Sequence, residues 1–236
     1  MFERQSFPIV GRSSLLEISK SHSLRCDSKQ SEYRFVELDR LLSEKETTYL
    51  GEYLPEPITK GSQPTYLQER EGIPVINTLS IQNMSINIQD CRHISTDDFQ
   101  KLTDNRILKK GDVLLTMDGG TSIGKPALFD LEGHYTVDSH VAILRPLGLS
   151  SKALAFLLAS PIGQLQFQRF ESGASGQTAV TEEDLRRFVM PKFAIEKLED
   201  YTEALSKERK RIEAERKKLK NAELIMWNNF TSRLIE

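Results

Sequence analysis

A glycine-rich stretch, MDGGTSIGKPA at residues 117–127, carries the residues whose types and spacing come nearest to known chemistry. Gly119, Gly124 and Lys125 match the start of the phosphate-binding P-loop, in which the next residue is Ser or Thr and its hydroxyl holds Mg²⁺. Here the next residue is Pro126, which has no hydroxyl, and the following PALFDLEGHYTVD alternates like a strand. We therefore predict a glycine-rich turn that joins two strands, with no nucleotide and no other cofactor bound.

The other residues that could do chemistry form no catalytic pattern. His22, His93, His134 and His140 are scattered, and no Cys accompanies the two in HYTVDSH to complete a zinc site. The stretch SGASGQ at residues 172–177 resembles a nucleophile elbow only superficially, since no base accompanies it. The sequence contains neither an adenosylmethionine-binding glycine motif nor an NPPY-like loop. We expect a protein without catalytic residues and without a metal site.

The distribution of charge gives no overall signal for nucleic acid. The net charge is −2 over 236 residues, and residues 46–193 carry 14 basic and 18 acidic side chains, a balance of −4. A nucleic-acid-binding domain usually has a basic surface. This chain would therefore have to cluster its cations on one face or obtain positive charge from a partner.

Several sequence features favour a cytoplasmic location. No apolar run approaches the roughly 20 residues that a membrane span needs. The first residues, MFERQSFPIVGR, lack the basic and apolar regions of a secretory signal. Cys26 and Cys91 are not spaced as a pair, and we interpret them as reduced thiols. We expect a cytoplasmic protein that does not engage a membrane.

Short apolar runs separated by turn residues predict an α+β fold. Residues 1–45 form an N-terminal segment with a short helix, residues 46–193 one domain, and residues 194–236 a long helix. Ser95 with Asp98, and Ser160 before Pro161, are typical of helix N-termini. Helices are predicted in 31–45, 95–102, 150–170 and 181–188, a loop in 49–66, and strands in 73–88, 112–117, 127–131 and 137–146.

The C-terminal segment has no Pro or Gly from Ile195 to Phe230 and repeats an apolar residue every seven positions. A helix of that length is roughly 54 Å long, and it cannot bury its own apolar stripe, so it needs a partner helix. The second seam would hold Thr202, Arg209, Arg216 and Glu223, which favours antiparallel or partner-assisted pairing over a parallel zipper. The predicted dimerisation stripe consists of Leu198, Leu205, Ile212, Leu219 and Met226.

Five stretches follow one another along the chain. The first two are LGEYLPEPITKGSQPTY and GIPVINTLSIQN, and the third is LKKGDVLLTMDGGTSIGKPALF around the glycine turn. The last two are DSHVAILRP, which ends in L-R-P, and GASGQTAVTEEDLRRFVMPKF, which closes the domain. In this order, the five stretches resemble the specificity subunit of Type I restriction–modification systems, and LRCDSKQSEYRF resembles a segment often found before that family's domain.

The chain departs from that family in two ways. A full specificity subunit has two target-recognition domains and two long helices, whereas this chain has one of each. The junction PKFAIEK also differs from the family's P-x-P exit. The chain therefore resembles a half-subunit, or a single-domain version of the family.

The resemblance implies a non-catalytic subunit that recognises a DNA sequence and directs a modification subunit to it. The implied partners are double-stranded DNA, a methyltransferase (modification) subunit, a restriction subunit as an optional member, and a second copy of this chain through the long helix. The residues alone leave an alternative open, which is a coiled-coil adaptor that binds only proteins. The −4 balance of residues 46–193 favours that alternative.

If the domain reads DNA, its contacts should come from polar side chains on loops, because Gln and Asn pair with adenine, Arg and Lys with guanine, and Ser and Thr with either. Backbone phosphates would take Lys side chains and amide groups. For each such residue the alternative is a turn former or a solvated surface residue. The candidates are Lys60, Ser62, Gln63, Tyr66, Ser80, Gln82, Asn83, Thr121, Ser122, Lys125, Ser175, Gln177 and Thr178.

Overall fold

The structure of the protein is a computed structural model that describes residues 29, 32–68, 71–82, 84–173, 178–192 and 195–235. The chain divides into two compact units, residues 1–192 and 193–236. The first unit mixes short strands with short helices, and the second is one long helix, so the predicted α+β class with a C-terminal helix is confirmed.

The elements follow the order that the apolar periodicity predicts, with one short strand inside the predicted loop 49–66 and further short strands that the sequence does not predict, Thr47–Tyr49, Arg92–Ile94 and Val189–Pro191. In chain order they are α1 (Tyr33–Ser43), β1 (Thr47–Tyr49), β2 (Thr59–Lys60), β3 (Ile73–Ile76), β4 (Ile81–Gln82), β5 (Ser85–Ile86), β6 (Arg92–Ile94), α2 (Thr96–Gln100), β7 (Val113–Thr116), β8 (Pro126–Leu128), β9 (Thr136–Val137), β10 (Val141–Leu144), α3 (Ser151–Ala159), α4 (Pro161–Phe170), α5 (Glu182–Arg186), β11 (Val189–Pro191) and α6 (Ile195–Ile235). Short 3₁₀ turns lie at Leu50–Tyr53, Ile88–Asp90 and Asp104–Arg106.

A four-stranded antiparallel sheet lies at the centre of the first unit, with the strands in the order β2, β10, β7, β8. Every residue of β7 and β10 is buried, as their apolar sequences VLLT and VAIL require. Helix α3 packs against β7 and β8. The main hydrophobic core, which includes Leu114, Phe129 and Ile143, forms around this sheet.

A second sheet contains β6, β3 and β9, in which β3 is antiparallel to β6 and parallel to β9. Between β3 and β6 the chain forms the β4–β5 hairpin. The strands predicted in 73–88 are confirmed at Ile73–Ile76, Ile81–Gln82 and Ser85–Ile86, but the alternation of Met84, Ile86 and Ile88 does not form one continuous strand. Met84 lies between the two hairpin strands with a φ of 64°, and Ile88 begins a 3₁₀ turn. The polar stretch around Met84 favours a turn over a continuous strand.

The predicted helix caps are confirmed. The Ser95 hydroxyl oxygen accepts the amide N–H of Asp98 at 3.0 Å, and the hydroxyl donates to the Asp98 carboxylate at 2.9 Å. Ser160 ends α3 and caps α4, where its oxygen accepts the amide N–H of Gly163 at 3.3 Å. Pro161 occupies the first turn of α4, where a missing N–H costs no hydrogen bond.

A partly buried ion pair joins the two central strands. The carboxylate of Asp112, at the start of β7, accepts two hydrogen bonds from the guanidinium of Arg145, at 2.8 and 3.0 Å. The same carboxylate accepts the amide N–H of Lys109 at 2.8 Å. This bidentate geometry is the arrangement that Arg favours and Lys cannot reproduce. The ion pair therefore joins the stretch LKKGDVLLTM, which contains Asp112, to the stretch DSHVAILRP, which contains Arg145.

The second unit is helix α6, which has 41 residues and lies within the predicted helical segment 194–236. A helix of this length is about 61 Å long. Along the predicted stripe, Leu205, Ile212, Leu219 and Met226 are between 44% and 70% exposed. Four of the five stripe residues are therefore exposed, whereas Leu198 is half-buried.

Candidate functional site

The predicted glycine-rich turn is confirmed. It joins β7 to β8, which pair antiparallel with Leu115 opposite Pro126. Gly119 and Gly124 have φ values of 100° and 78°, a conformation that favours glycine. The chain after Lys125 enters a strand, whereas a P-loop is followed by a helix whose N-terminus faces the phosphates. The turn therefore has the geometry of a hairpin connection.

The turn is held by its own hydrogen bonds. The Thr116 hydroxyl donates to the carbonyl oxygen of Ser122 and accepts the amide N–H of Lys125 at 2.9 Å. The side chain of Gln164 in α4 donates to the carbonyl oxygen of Gly124 at 2.8 Å. Because these contacts fix the main chain, the side chains of the turn are presented from a rigid support.

Four segments meet at the end of the central sheet that carries this turn, and together we name them the glycine-loop face: residues 60–63, 118–125, 138–140 and 178–179. Ser62 forms a β-bridge with Asp138, and Asp118 forms one with Ala179. The amide N–H of Gly119 donates to the carbonyl oxygen of Thr178 at 3.0 Å. These backbone contacts bring together segments that are far apart in the sequence.

Gly61 is required for this convergence. A Cβ atom at this position would lie 1.9 Å from the carbonyl oxygen of Val137 and 2.3 Å from that of Asp138. Only a residue without a Cβ allows the segment 60–63 to approach the segment 138–140 so closely. Beyond this point the side chain of Ser139 donates to the amide oxygen of Gln63 at 3.0 Å.

The glycine-loop face contains most of the described residues that the sequence singles out for DNA contact. The Lys60 ammonium lies 3.8 Å from the Asp118 carboxylate, and both side chains are partly exposed. No ion-pair partner of Lys125 occurs among the residues that the structure describes. Thr178 lies at the edge, with a buried hydroxyl oxygen that has no hydrogen-bond partner in the described part of the chain. The predicted residues within this face are Lys60, Ser62, Gln63, Thr121, Ser122, Lys125 and Thr178.

The structure places three further candidates elsewhere. Ser80 is fully buried, with its hydroxyl at 3.2 Å from the side-chain oxygen of Asn77 and at 3.5 Å from the thiol of Cys91. Ser80 is therefore not accessible to DNA in this structure, because its hydroxyl completes the turn between β3 and β4. Gln82 is exposed and donates to the Asp90 carboxylate at 3.0 Å, in a separate polar cluster.

The third of these candidates, Tyr66, is half-buried against the cluster of Val75, Ile94 and Phe99. The guanidinium of Arg92 lies 4.7 Å from the centre of its ring. Burial raises the pKa of the Tyr66 hydroxyl, and the negative charge of Asp138 raises it further. Asn83, Ser175 and Gln177, together with Cys26 and most of the segment LRCDSKQ, lie outside the described residues.

Sequence reasoning misses three residues of the glycine-loop face: Asp118, Ser139 and His140. The Asp118 carboxylate lies 2.5 Å from Nδ1 of His140. From the sequence, His140 is considered only as a metal ligand. Asp118 is not singled out there, because it is one residue within the glycine-rich stretch. A signal is present in the DSH that precedes the strand VAIL, but the contact joins residues 22 positions apart.

The described residues contain neither a cluster that could bind a metal ion nor a helix that could span a membrane. Across the described ranges, no group of three or more His, Cys, Asp or Glu side chains is placed to hold a metal ion. Within the same residues, no helix combines the length and the apolar character that crossing a membrane would need.

Comparison with known families assigns the chain to a class. The family profile described as the Type I restriction modification DNA specificity domain matches residues 56–222. The chain belongs to this family, whose specificity subunits are non-catalytic. All four segments of the glycine-loop face lie within the matched residues. Among curated proteins, none matches the chain.

Solved structures of the same class share the fold. A chain from a study of complex assembly and conformational transition of the type I R-M system has 17% identity and a TM-score of 0.51, and the match covers 84% of this chain and 49% of that one. The S subunit of the Type I restriction–modification system from M. genitalium has 14% identity and a TM-score of 0.52, with 71% and 40% covered. The HsdS subunit from Thermoanaerobacter tengcongensis has 16% identity and a TM-score of 0.50, with 85% and 48% covered.

These matches span less than half the length of each of the three solved chains. At these identities the likeness establishes the fold.

Proposed function

We propose that this chain recognises a specific DNA sequence for a Type I restriction–modification complex and directs the modification subunit to it. The observation that carries this proposal is the family match over residues 56–222, the DNA specificity domain. The glycine-loop face supplies a rigid set of polar side chains inside that region. The chain itself catalyses nothing in this proposal, and its partner subunits carry the methyltransferase and endonuclease activities in the cytoplasm.

The chemistry of the glycine-loop face suits this role. Lys60 and Lys125 can bind phosphate oxygens. Such contacts position a protein on DNA but do not distinguish one base sequence from another. Gln63, Thr121 and Ser122 offer the amide and hydroxyl groups that read base edges in the major groove. Ser62 also lies in this face, as does Thr178, whose hydroxyl oxygen is buried. Gln82 and Tyr66 are proposed contacts outside the face. Asn83, Ser175 and Gln177 belong to the proposal through the sequence alone.

The charge of the domain limits what this face can do by itself. Residues 46–193 carry a net charge of −4, so the domain can neutralise few phosphates and gains little affinity from the release of counterions. The chain alone should therefore bind DNA weakly, and the modification subunit should supply most of the affinity. A restriction subunit joins the same complex as an optional partner.

A second copy of the chain is the proposed partner of helix α6. One recognition domain reads only one half of a split site, and the exposed stripe of α6 needs a partner helix. Thr202, Arg209, Arg216 and Glu223 occupy the second seam, which favours head-to-tail pairing. The proposed contacts are made by Leu198, Leu205, Ile212, Leu219 and Met226. A two-fold dimer would place two recognition domains on one DNA molecule.

A binding experiment tests the proposal against the adaptor alternative, which the acidic balance and the exposed helix stripe favour. Duplex DNA of random sequence is titrated with the full chain, alone and co-expressed with a modification subunit, at physiological salt. We expect the chain alone to bind no tighter than about 10⁻⁶ M, the range of non-specific binding, and the complex to bind at least about tenfold tighter. A complex that binds DNA no better than the modification subunit alone would support the adaptor.

Paired variants then locate the interface. Lys60→Ala together with Lys125→Ala should lower the affinity of the complex, and the slope of log K against log salt should fall by about 0.9 for each phosphate that is no longer neutralised. Lys110→Ala is the control. Lys110 lies before the first residue of β7, whereas the glycine turn of the face follows the last residue of that strand, and the Lys110 ammonium pairs with the Glu132 carboxylate. Equal effects of the two changes would place the interface elsewhere.

A further inference from the structure

A carboxylate–imidazole pair lies within the glycine-loop face. One oxygen of Asp118 is 2.5 Å from Nδ1 of His140, and the other is 3.8 Å from the Lys60 ammonium. The His140 side chain is 51% exposed. Among the described residues, none forms a hydrogen bond with Nε2 of His140, so one ring nitrogen is engaged and the other is open.

The main chain fixes the positions of both residues. The amide N–H of Met117 donates to the carbonyl oxygen of His140 at 3.0 Å, which joins the end of β7 to the start of β10. The amide N–H of His140 donates to the Asp138 carboxylate at 2.9 Å. Asp118 is held by its β-bridge to Ala179. The pair is therefore made by two short side chains on fixed backbone, unlike a chance contact between long surface side chains.

The contact with Asp118 determines the state of the ring. An ionised carboxylate only accepts hydrogen bonds, so Nδ1 of His140 carries the hydrogen. Nε2 then accepts when the imidazole is neutral and donates when it is an imidazolium. Phosphate oxygens and the O6 and N7 atoms of guanine only accept. An acceptor on DNA therefore selects the imidazolium.

We propose that His140 is a DNA-contacting residue of this chain that donates from Nε2 to an acceptor atom on DNA, and that Asp118 is the residue that positions it. This inference rests on the proposed function. The contact then requires the protonated ring of His140, so affinity for DNA rises as the pH falls. By the same linkage, bound DNA favours the imidazolium.

The charged groups around His140 are consistent with this role. Lys60 faces the pair from β2, Asp118 from the end of β7, and Asp138 from the turn before β10. The segment 178–179 contributes Thr and Ala, and the sequence ASGQ at residues 174–177 contains no titratable side chain. Asp118 and Asp138 would repel DNA by themselves, whereas an imidazolium at His140 and the Lys60 ammonium together balance the two carboxylates.

The test measures affinity for duplex DNA of random sequence by fluorescence anisotropy at a series of pH values between about 6 and 8. The protein is the full chain in complex with its modification subunit. We expect affinity to increase by at least about threefold per pH unit as the pH falls, where uptake of one whole proton would give about tenfold. His140→Gln should remove this component. His134→Gln, which changes an exposed His outside the face, is the matched control and should leave the profile as in the wild type.

Asp118→Ala separates positioning from simple charge, because it removes both the negative charge and the oxygen that contacts Nδ1 of His140. Loss of a negative charge alone predicts tighter binding to DNA at every pH. Loss of the residue that orients His140 predicts the opposite at neutral pH, with a weaker pH dependence, and we expect this second result. Asp138→Asn keeps a hydrogen-bond acceptor for the His140 amide while removing the titration of Asp138, so it should retain the pH profile.

The outcomes distinguish this inference from the proposed function. If the wild-type complex binds DNA with the same pH profile as the His140→Gln complex, the inference is wrong and the proposed function stands. If no complex binds DNA at any pH, the proposed function itself fails. Should His140→Gln not fold, tighter binding by Asp118→Ala at neutral pH overturns the inference, and weaker binding supports it. Selection of preferred DNA sequences with the wild-type and His140→Gln complexes identifies the acceptor. If His140 contacts a guanine, the preference at one base of the word should differ between the two complexes, and if it contacts a phosphate, the word should be the same.

Discussion

Asp138 shows how a single buried charge is accommodated beside the glycine-loop face. Its side chain is only 5% exposed, and its carboxylate accepts the amide N–H of His140 at 2.9 Å. Burial raises the pKa of Asp138, and the nearby charge of Asp118 raises it further, while the hydrogen bond from His140 opposes the shift. The ionised form therefore costs free energy in the folded protein.

Asp138→Asn should remove this cost and its pH dependence. Because the folded pKa of Asp138 lies above the ordinary aspartate value of about 3.9, the folded state binds more protons between those two values. Wild-type stability should therefore gain a contribution as the pH falls from neutrality towards that value, and the variant should lack it. Urea unfolding of both proteins across that range measures the difference. A difference in unfolding free energy that is the same at every pH would contradict the assignment.

At the scale of the element, the connections that lead into β7 and β8 illustrate two separate reasons for a glycine. Gly124 has a φ of 78°, and a Cβ there would lie 2.7 Å from the ring of Phe167 in α4. Gly111 has a φ of 96°, but a Cβ there would meet nothing within 4 Å. The two positions therefore share the backbone requirement and differ in packing.

Gly124→Ala and Gly111→Ala separate these contributions. Gly111→Ala should cost about 1–2 kcal/mol of unfolding free energy, because an L-residue is disfavoured at positive φ. Gly124→Ala should cost about 1–3 kcal/mol more, because the new methyl group overpacks against Phe167. Chemical denaturation at equilibrium measures both. Equal losses would show that Phe167 moves aside freely.

The elements that the sequence predicts are those whose signals are local. Ser95, Ser160 and Thr181 cap helices because each places a hydroxyl near amide groups three residues later, and that spacing is visible in the sequence. The strands VLLT and VAIL are predictable because each is a short apolar run between turn residues. The glycine-rich turn is predictable because Pro126 is incompatible with a P-loop.

The parts that the sequence does not predict depend on contacts between distant residues. The pairing of β1 with β11 and the parallel pairing of β3 with β9 are set by the packing of the whole unit. The burial of Ser80 is not visible in the sequence, because a serine after a strand is equally typical of an exposed turn. The contact between Asp118 and His140 requires the β7–β10 register, which no local pattern specifies.

At the scale of the molecule, association through helix α6 can be tested with two leucines. Leu219 lies on the seven-residue stripe and is 70% exposed, whereas Leu224 is 59% exposed. Five residues at about 100° each place Leu224 roughly 140° around the helix from Leu219. Leu219→Glu should abolish association of two copies in the complex, and Leu224→Glu should leave it intact. Analytical ultracentrifugation measures the mass of each complex, and equal masses would exclude the stripe as the interface.

The central claim is that two copies of one half-subunit recognise the DNA. The most direct test is to determine which sites are methylated in cells that carry this chain with its modification subunit. Methylome sequencing should show an inverted repeat, two copies of one word separated by an unread spacer of fixed length. Deletion of residues 206–212, one heptad of α6, should shorten the spacer or abolish methylation while leaving each word unchanged. Methylation without a defined sequence, or an asymmetric motif of two different words with no second recognition chain present, would contradict the claim.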